Sequence, residues 1–438
     1  MLILLLFVLL VIEFLLYIIN HKELLHPSIW FVSAFVFSTF IALINSKAWG
    51  DISIFTVLVI LLGVVSFLIG SISGTIIVSK LKAKKDLRKL SEYYVSSSIK
   101  KSIVIIVILF MFIITIQYFV FIYNQSVLAG NPGGLNAMLS YVRSISRDSE
   151  LFSEVNSFIN YGLIISQAFG FIFAFICIKN SILSYKKFNF VYLVPIIIYL
   201  VQAILTTGRT KMINFLVFMF FSTLVIIKEK KLWSKKLNRI IIRYMILMVI
   251  IILVIFMGID LTLRGSIYGT EWTVFYQISK YTGSSIKAFD LFLRNIVQFP
   301  FSGDETLYNI YSILNRFGFH FEIGSNALQS VHFSNITTNV YTALRRYIHD
   351  YGFFGMVLIQ FILGLLFSSV FEYIKKGYNN GTLLILYSMN MYIIVYMSIE
   401  ERFFLSAISI NSMVTIIIVA LLWKFVVKTK YLRRISYD

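Results

Sequence analysis

Eleven apolar runs, most of them about 17 to 25 residues long, divide this chain, and each is long enough to cross a bilayer as a helix. They fall roughly at 1–19, 29–44, 54–78, 102–123, 157–178, 188–206, 211–227, 241–260, 351–374, 382–399 and 403–427. Only 13% of the residues are charged and 59% are hydrophobic, against roughly a quarter and a half in soluble domains. The expected fold is therefore an all-α polytopic integral membrane protein, a single transmembrane domain over 1–438. Met1 to Ile19 has no basic leader and no small-residue cleavage site, so it reads as a retained span. A lone cysteine, Cys177, excludes an intrachain disulfide and any cysteine-based metal site.

The linkers sort by charge. Lys22, KLKAKKDLRKL (80–90) with Lys100 and Lys101, Lys179 to Lys187, KEKKLWSKKLNR (228–239) with Arg243, Lys375–Lys376 and the tail after Trp423 carry 26 of the 39 basic residues. Segments 45–53, 124–156, 206–211, 261–350 and 400–402 carry the remaining 13. The positive-inside rule makes the first set cytoplasmic and the second external. The net charge of +19 is then explained by orientation, and no soluble basic domain exists to bind nucleic acid.

The two sets differ in chemistry as well as number. The cytoplasmic set has 21 Lys and 5 Arg, while the external set has 4 Lys and 9 Arg. Orientation needs no such reversal. A guanidinium presents a planar fork suited to phosphate, so an arginine-rich outer face suggests an anionic ligand. Pairing with external acids explains individual arginines equally well.

Two external loops stand out. Residues 124–156 contain AGNPGG and then YVRSISRDSE, a turn followed by a short interfacial helix or lid. Residues 261–350 are far longer than a passive connection and mix aromatic, glycine and charged residues in short helical pieces. Such a surface suits sugars, although an aromatic interface belt has the same composition.

The most informative stretch is NVYTALRRYIHDYGFFG (339–355), which sets Arg345, Arg346, His349 and Asp350 at the mouth of a span. Polar residues at a membrane boundary mark a functional site by default. Together with ILTTGRT (204–210), LRGSIYG (263–269) and YTGSSIKAFDLFL (281–293), its order and spacing resemble the Wzy-type polymerases of bacterial O-antigen and capsule synthesis over roughly residues 200–400. The resemblance implies a GT-C-like architecture in the cytoplasmic membrane with its active site facing outside. It also implies undecaprenyl-pyrophosphate-linked oligosaccharides as substrates, with a chain-length regulator and a flippase as partners. The implied reaction transfers the growing glycan from its lipid pyrophosphate to the non-reducing end of an incoming unit. An O-antigen ligase uses a similar donor with another acceptor, and a flippase of lipid-linked sugars is a further alternative.

Cleaving a sugar–pyrophosphate bond develops negative charge on the leaving group, which cations must stabilise. Arg209, Arg264, Arg345 and Arg346 are the candidates for a pyrophosphate clamp. No Asp-x-Asp motif lies in the external loops, and Asp304–Glu305 and Glu400–Glu401 lack evident further ligands, so no metal and no other cofactor is expected. Asp350 is the first candidate for the base that takes the acceptor proton, followed by Glu271, His349 and His332. An aspartate just ahead of a span is equally an N-cap. Asn339, Tyr341, Thr342 and Tyr281 are candidates for sugar contacts. Gly352 and Gly355 are expected to ease helix packing, and Pro195 to kink its helix.

Overall fold

The computed structural model describes residues 1–82, 93–128, 130, 134, 135, 138, 139, 155–184, 189–206, 209–248, 250, 251, 274–295, 301–324, 327–334, 336–378 and 381–433. In chain order the main elements are α1 (Leu2–Ile19), α2 (Pro27–Ile44), α3 (Ile54–Ser79), β1 (Tyr93–Ser98), α4 (Lys101–Leu128) and α5 (Ser157–Leu183). There follow α6 (Leu193–Leu205), α7 (Arg209–Lys230), α8 (Ser284–Arg294), α9 (Tyr308–Arg316), β2 (Val331–Phe333) and β3 (Ile336–Thr338). The chain ends with α10 (Leu344–Lys375), α11 (Thr382–Tyr396), α12 (Ile410–Phe425) and β4 (Lys428–Arg433).

Seven described helices are long and apolar enough to cross a membrane: α1 to α5, Thr210–Lys230 within α7, and α10. The segment Phe190–Leu205 and helices α11 and α12 are apolar but shorter. The expected span 241–260 lies partly outside the described residues, with helical backbone over 238–248. The span expected at 403–427 is broken: Phe403–Ala407 forms a π-helical turn before α12 begins. Pro195 kinks nothing. It occupies the first turn of α6, where its missing N–H would have had no helical partner.

The expected single transmembrane domain is built as two compact units. One comprises Met1–Lys84, Trp272–Asn379 and Asn390–Met413, the other Lys85–Glu271, Asn380–Met389 and Val414–Asp438.

In the first unit, α3 and α10 are bound backbone to backbone. A Cβ on Gly70 would strike the carbonyl of Phe361, one on Gly74 would lie 2.6 Å from the Leu365 carbonyl oxygen, and one on Gly364 would strike the Phe67 carbonyl. Small residues let helices approach this closely, which substitutes in lipid for the missing hydrophobic drive between spans. Ser368 Oγ donates to Ser71 Oγ at 2.7 Å across the same seam. The signal was visible as Gly70-x-x-x-Gly74 in an apolar run, a pattern that sequence reading passed over.

Contacts at the two ends of this unit group the linkers as their charge did. At one end Lys376 Nζ donates to Ser79 O and Tyr378 to Lys82 O, joining two segments of the Lys-rich set. At the other end Ser53 N donates to Asp290 and Ser285 Oγ to Ser398 O, joining 45–53, 261–350 and the turn before 400–402. Trp49, Ala288, Phe333, Ile336 and Tyr341 form a small core there.

In the second unit, β1 and β4 pair antiparallel, Tyr93 opposite Arg433 and Ser98 opposite Lys428. β4 carries Lys428 and Lys430 of the basic tail, and β1 runs on toward Lys100 and Lys101. Asn180 braces β1 through a reciprocal pair of 2.8 Å bonds with the Ser97 backbone.

Candidate functional site

The stretch at 344–351 is already helical, and α10 bends at Gly352, whose φ of 64° and ψ of −171° lie outside the helical region. Glycine is needed there because a side chain would strain a left-handed φ. Gly352 therefore serves the backbone, and Asp350 is not the N-cap of a helix beginning after it. The bend leaves a short arm of two turns carrying the polar residues and a long apolar arm after it. Arg345 and His349 are four residues apart, as are Arg346 and Asp350, so these side chains fall along one side of the arm.

The segment FSGDET (301–306) closes over that side. Glu305 ion-pairs with Arg345, and Arg346 Nη1 donates to the Glu305 carbonyl at 3.0 Å. Thr306 N donates to Asp350 Oδ2 at 2.6 Å. Gly303 permits the close approach: its φ is 69°, and a Cβ would sit 2.7 Å from the Tyr351 hydroxyl. Charges removed from water in this way must be paired and hydrogen-bonded. Arg346 and Asp350 are 2% and 0% exposed.

His349 is the accessible member. Its side chain is 26% exposed, and Nδ1 lies 2.8 Å from Asp350 Oδ1. With Asp350 accepting from Nδ1–H, the tautomer is fixed and Nε2 is left as a proton acceptor. Asp350 has a backbone amide on one oxygen and the imidazole on the other, and no exposed surface. Its chemical reach into solvent runs through His349.

A second carboxylate supports the arm from its other side. Buried Glu401 accepts from Tyr347 Oη at 3.0 Å and from the amides of Phe403, Phe404 and Leu405 at 2.7, 2.9 and 3.0 Å. Burial raises its pKa, and the bonds from Phe404, Leu405, Tyr347 and Phe403 offset part of that rise. Glu400 ion-pairs with Arg402.

A separate polar knot holds α8. Asp290, fully buried, accepts from Ser53 N and Thr56 Oγ1 and pairs with Lys287 and Arg294 at 3.4 and 2.8 Å. Burial pushes its carboxyl up, but the bonds from Ser53 and Thr56 and the Lys287 charge outweigh it, and the pKa ends below the ordinary value. A depressed pKa means stability that is present above the ordinary carboxylate value and lost as pH falls through the folded one. Asp290→Asn strands buried Lys287, so an expected loss of about 3–5 kcal/mol should appear as a lower thermal midpoint in detergent. An unchanged midpoint at neutral pH would remove the knot from the account of stability.

Of the predicted site residues, Arg345, Arg346, His349 and Asp350 come together. Tyr341 is buried in the small core, donates to Gln329 O at 2.9 Å and lies with its ring 5.5 Å from the Arg345 guanidinium. Thr342 is 1% exposed and its carbonyl accepts from Arg345 N, starting the arm. Their placement suits packing and helix initiation rather than sugar contact. Asn339 is exposed and Tyr281 half-buried in the π-helical turn Ser279–Gly283. His332 pairs with Thr337 across β2 and β3. Arg264, Glu271 and the side chain of Arg209 lie outside the described residues, as does all of 140–154.

Asp304, Glu305, Thr306 and Glu401 complete the site and were not among the predicted residues. The adjacent acidic pairs 304–305 and 400–401 were their only sequence signal. Asp304, His349 and Asp350 also bring one donor atom each within 4.8 Å of one another, with Glu305 Oε1 3.6 Å from His349 Nδ1. Oxygen and imidazole donors of this kind hold divalent cations. The hydrogen bonds to both Asp350 oxygens account for its burial without one.

No family model, no curated protein and no solved structure matches the chain.

Proposed function

We propose that this protein is a membrane-embedded glycan transferase that polymerises oligosaccharides carried on a lipid pyrophosphate, working outside the cytoplasmic membrane. The observation that carries the reading is the His349–Asp350 pair beside two buried arginines at the mouth of α10. An acceptor hydroxyl needs a base within direct reach, and an imidazole oriented through its other nitrogen by a carboxylate is suited to that task.

In this reading the acceptor hydroxyl gives its proton to His349 Nε2. The acceptor oxygen forms a bond to the anomeric carbon of the growing glycan as the bond from that carbon to pyrophosphate oxygen breaks. The electron pair leaves with the pyrophosphate, and a single displacement inverts the anomeric centre. Arg345 and Arg346 supply fixed positive charge beside the leaving group. Glu305 holds the Arg345 fork in place and gives way to the pyrophosphate when substrate enters. Arg264 and Arg209 remain proposed members of the clamp, Glu271 the alternative base, and Asn339 and Tyr281 sugar contacts.

Reconstitution with a lipid-linked repeat unit tests the reading. A ladder of products on a gel is expected. A single transfer to a different lipid-linked acceptor would make the protein ligase-like, and translocation without a new bond would replace both readings with a flippase.

A further inference from the structure

The loop after α9 displays an apolar tip that the chemistry above does not use. Phe301, Phe317 and Phe319 are 67%, 78% and 54% exposed, and Phe321 is 40% exposed. Exposed apolar patches of this kind mark interaction surfaces.

The tip is held rigid. Asn315 Nδ2 donates to Phe321 O at 2.9 Å and Phe321 N donates to Asn315 Oδ1 at 2.8 Å, closing residues 315–321 into a clasped turn. Gly318, with φ 93°, makes the reversal. Tyr311 stacks on Phe321 at 4.7 Å and donates to Ser302 O at 2.7 Å, which ties the 301–304 segment to the same platform.

Its height is fixed too. Asn309 Nδ2, on α9, donates to the carbonyls of Phe404 and Leu405 at 2.9 and 2.8 Å. Those residues form the turn between two apolar helices, α11 and α12, so α9 lies level with the ends of apolar helices. Thr306 Oγ1 donates to Arg346 O on the short arm of α10, at the mouth of a span.

We propose that the clasped turn 315–321, with Phe301 beside it, is a membrane-interface anchor that inserts its phenyl rings among the headgroups and upper acyl chains of the outer leaflet. The composition favours lipid over glycan. The tip rings are phenyl, with no hydroxyl or indole N–H to hold a sugar. Exposed Arg316 adjoins Phe317, where its guanidinium meets lipid phosphate. The anchor would keep the 301–306 segment, and with it Glu305 and Thr306, at the level of a lipid-borne substrate, but its existence does not depend on the proposed reaction.

The test labels the tip in the full chain. With Cys177→Ser as background, Phe317→Cys carries an environment-sensitive fluorophore, and the protein is reconstituted in phosphatidylcholine–phosphatidylglycerol vesicles. Phe354→Cys, on the long arm of α10 and 79% exposed, serves as the lipid-facing reference. Blue-shifted emission is expected, with quenching by shallow spin-labelled lipids several-fold stronger than by aqueous iodide. Iodide quenching equal to that of free dye, with none from spin-labelled lipid, would overturn the proposal. So would a tip shielded from both quenchers, which would indicate a protein partner or a second copy, or a tip protected only after glycan is added. Phe319→Cys, labelled in the same way, separates a local failure at residue 317 from failure of the idea.

Discussion

Replacing His349 with asparagine is expected to slow glycan transfer by about 10²- to 10⁴-fold, the usual worth of a positioned acid–base group, while the protein still inserts and stays folded. His349 is the polar residue of the cluster that combines a free ring nitrogen with partial exposure, and its loss leaves Arg345, Arg346 and Asp350 in place. Asparagine keeps a hydrogen-bonding side chain toward Asp350 but cannot take a proton. The thermal midpoint should move little. Asp350→Asn should also lower turnover, by releasing the imidazole from its orientation, and it should disturb Thr306 N as well. The informative measurement is therefore the split between turnover and acceptor KM. A positioning role lowers turnover at nearly constant KM. Turnover of His349→Asn within threefold of wild type would remove it as the base and return attention to Glu271.

Gly364→Leu is expected to be the most damaging change for the fold. The position faces the Phe67 carbonyl of α3, so even a methyl group meets backbone rather than a side chain that can rotate away. Overpacking a tight contact costs about 1–3 kcal/mol when side chains can adjust, and a backbone clash lies at or above that range. Fluorescence-detected size exclusion after stepwise heating should show an earlier loss of the monodisperse peak. Gly134→Ala, where a Cβ meets nothing within 4 Å, should leave the profile unchanged. If both variants behave alike, the α3–α10 seam does not limit stability.

Much of the fold was legible in the sequence because span formation is a local property. A run of Leu, Ile, Val and Phe of sufficient length is a helix in lipid whatever its neighbours do, and α1, α2 and α3 begin and end within a few residues of expectation. Within the first unit the grouping of linkers by charge matches the contacts at its two ends. The departures come where local and tertiary preferences conflict. The run at 403–427 looked continuous, but Glu401 collects the amides of Phe403, Phe404 and Leu405, and the chain bends into a π-helical turn before resuming as α12.

The site divides in the same way. That Arg345, Arg346, His349 and Asp350 would lie near one another followed from their closeness in sequence; that they share one side of a helix did not. Which of them meets solvent did not. Asp350 looked like the accessible acid because it preceded an apolar run, yet Thr306, 44 positions away in sequence, donates to it and buries it. Tyr341 looked like a sugar contact and instead packs with Trp49 and Phe333.

By itself, the sequence determined that this chain forms apolar helices long enough to cross a membrane, and that a basic and acidic cluster precedes the long apolar arm of α10. Those properties depend on residue type and on spacing of a few residues. Only the tertiary structure decided that FSGDET closes over the cluster, that Glu305 holds Arg345, and that the imidazole rather than the carboxylate is accessible. Burial and pairing depend on contacts between residues distant in the chain, and no local pattern encodes them.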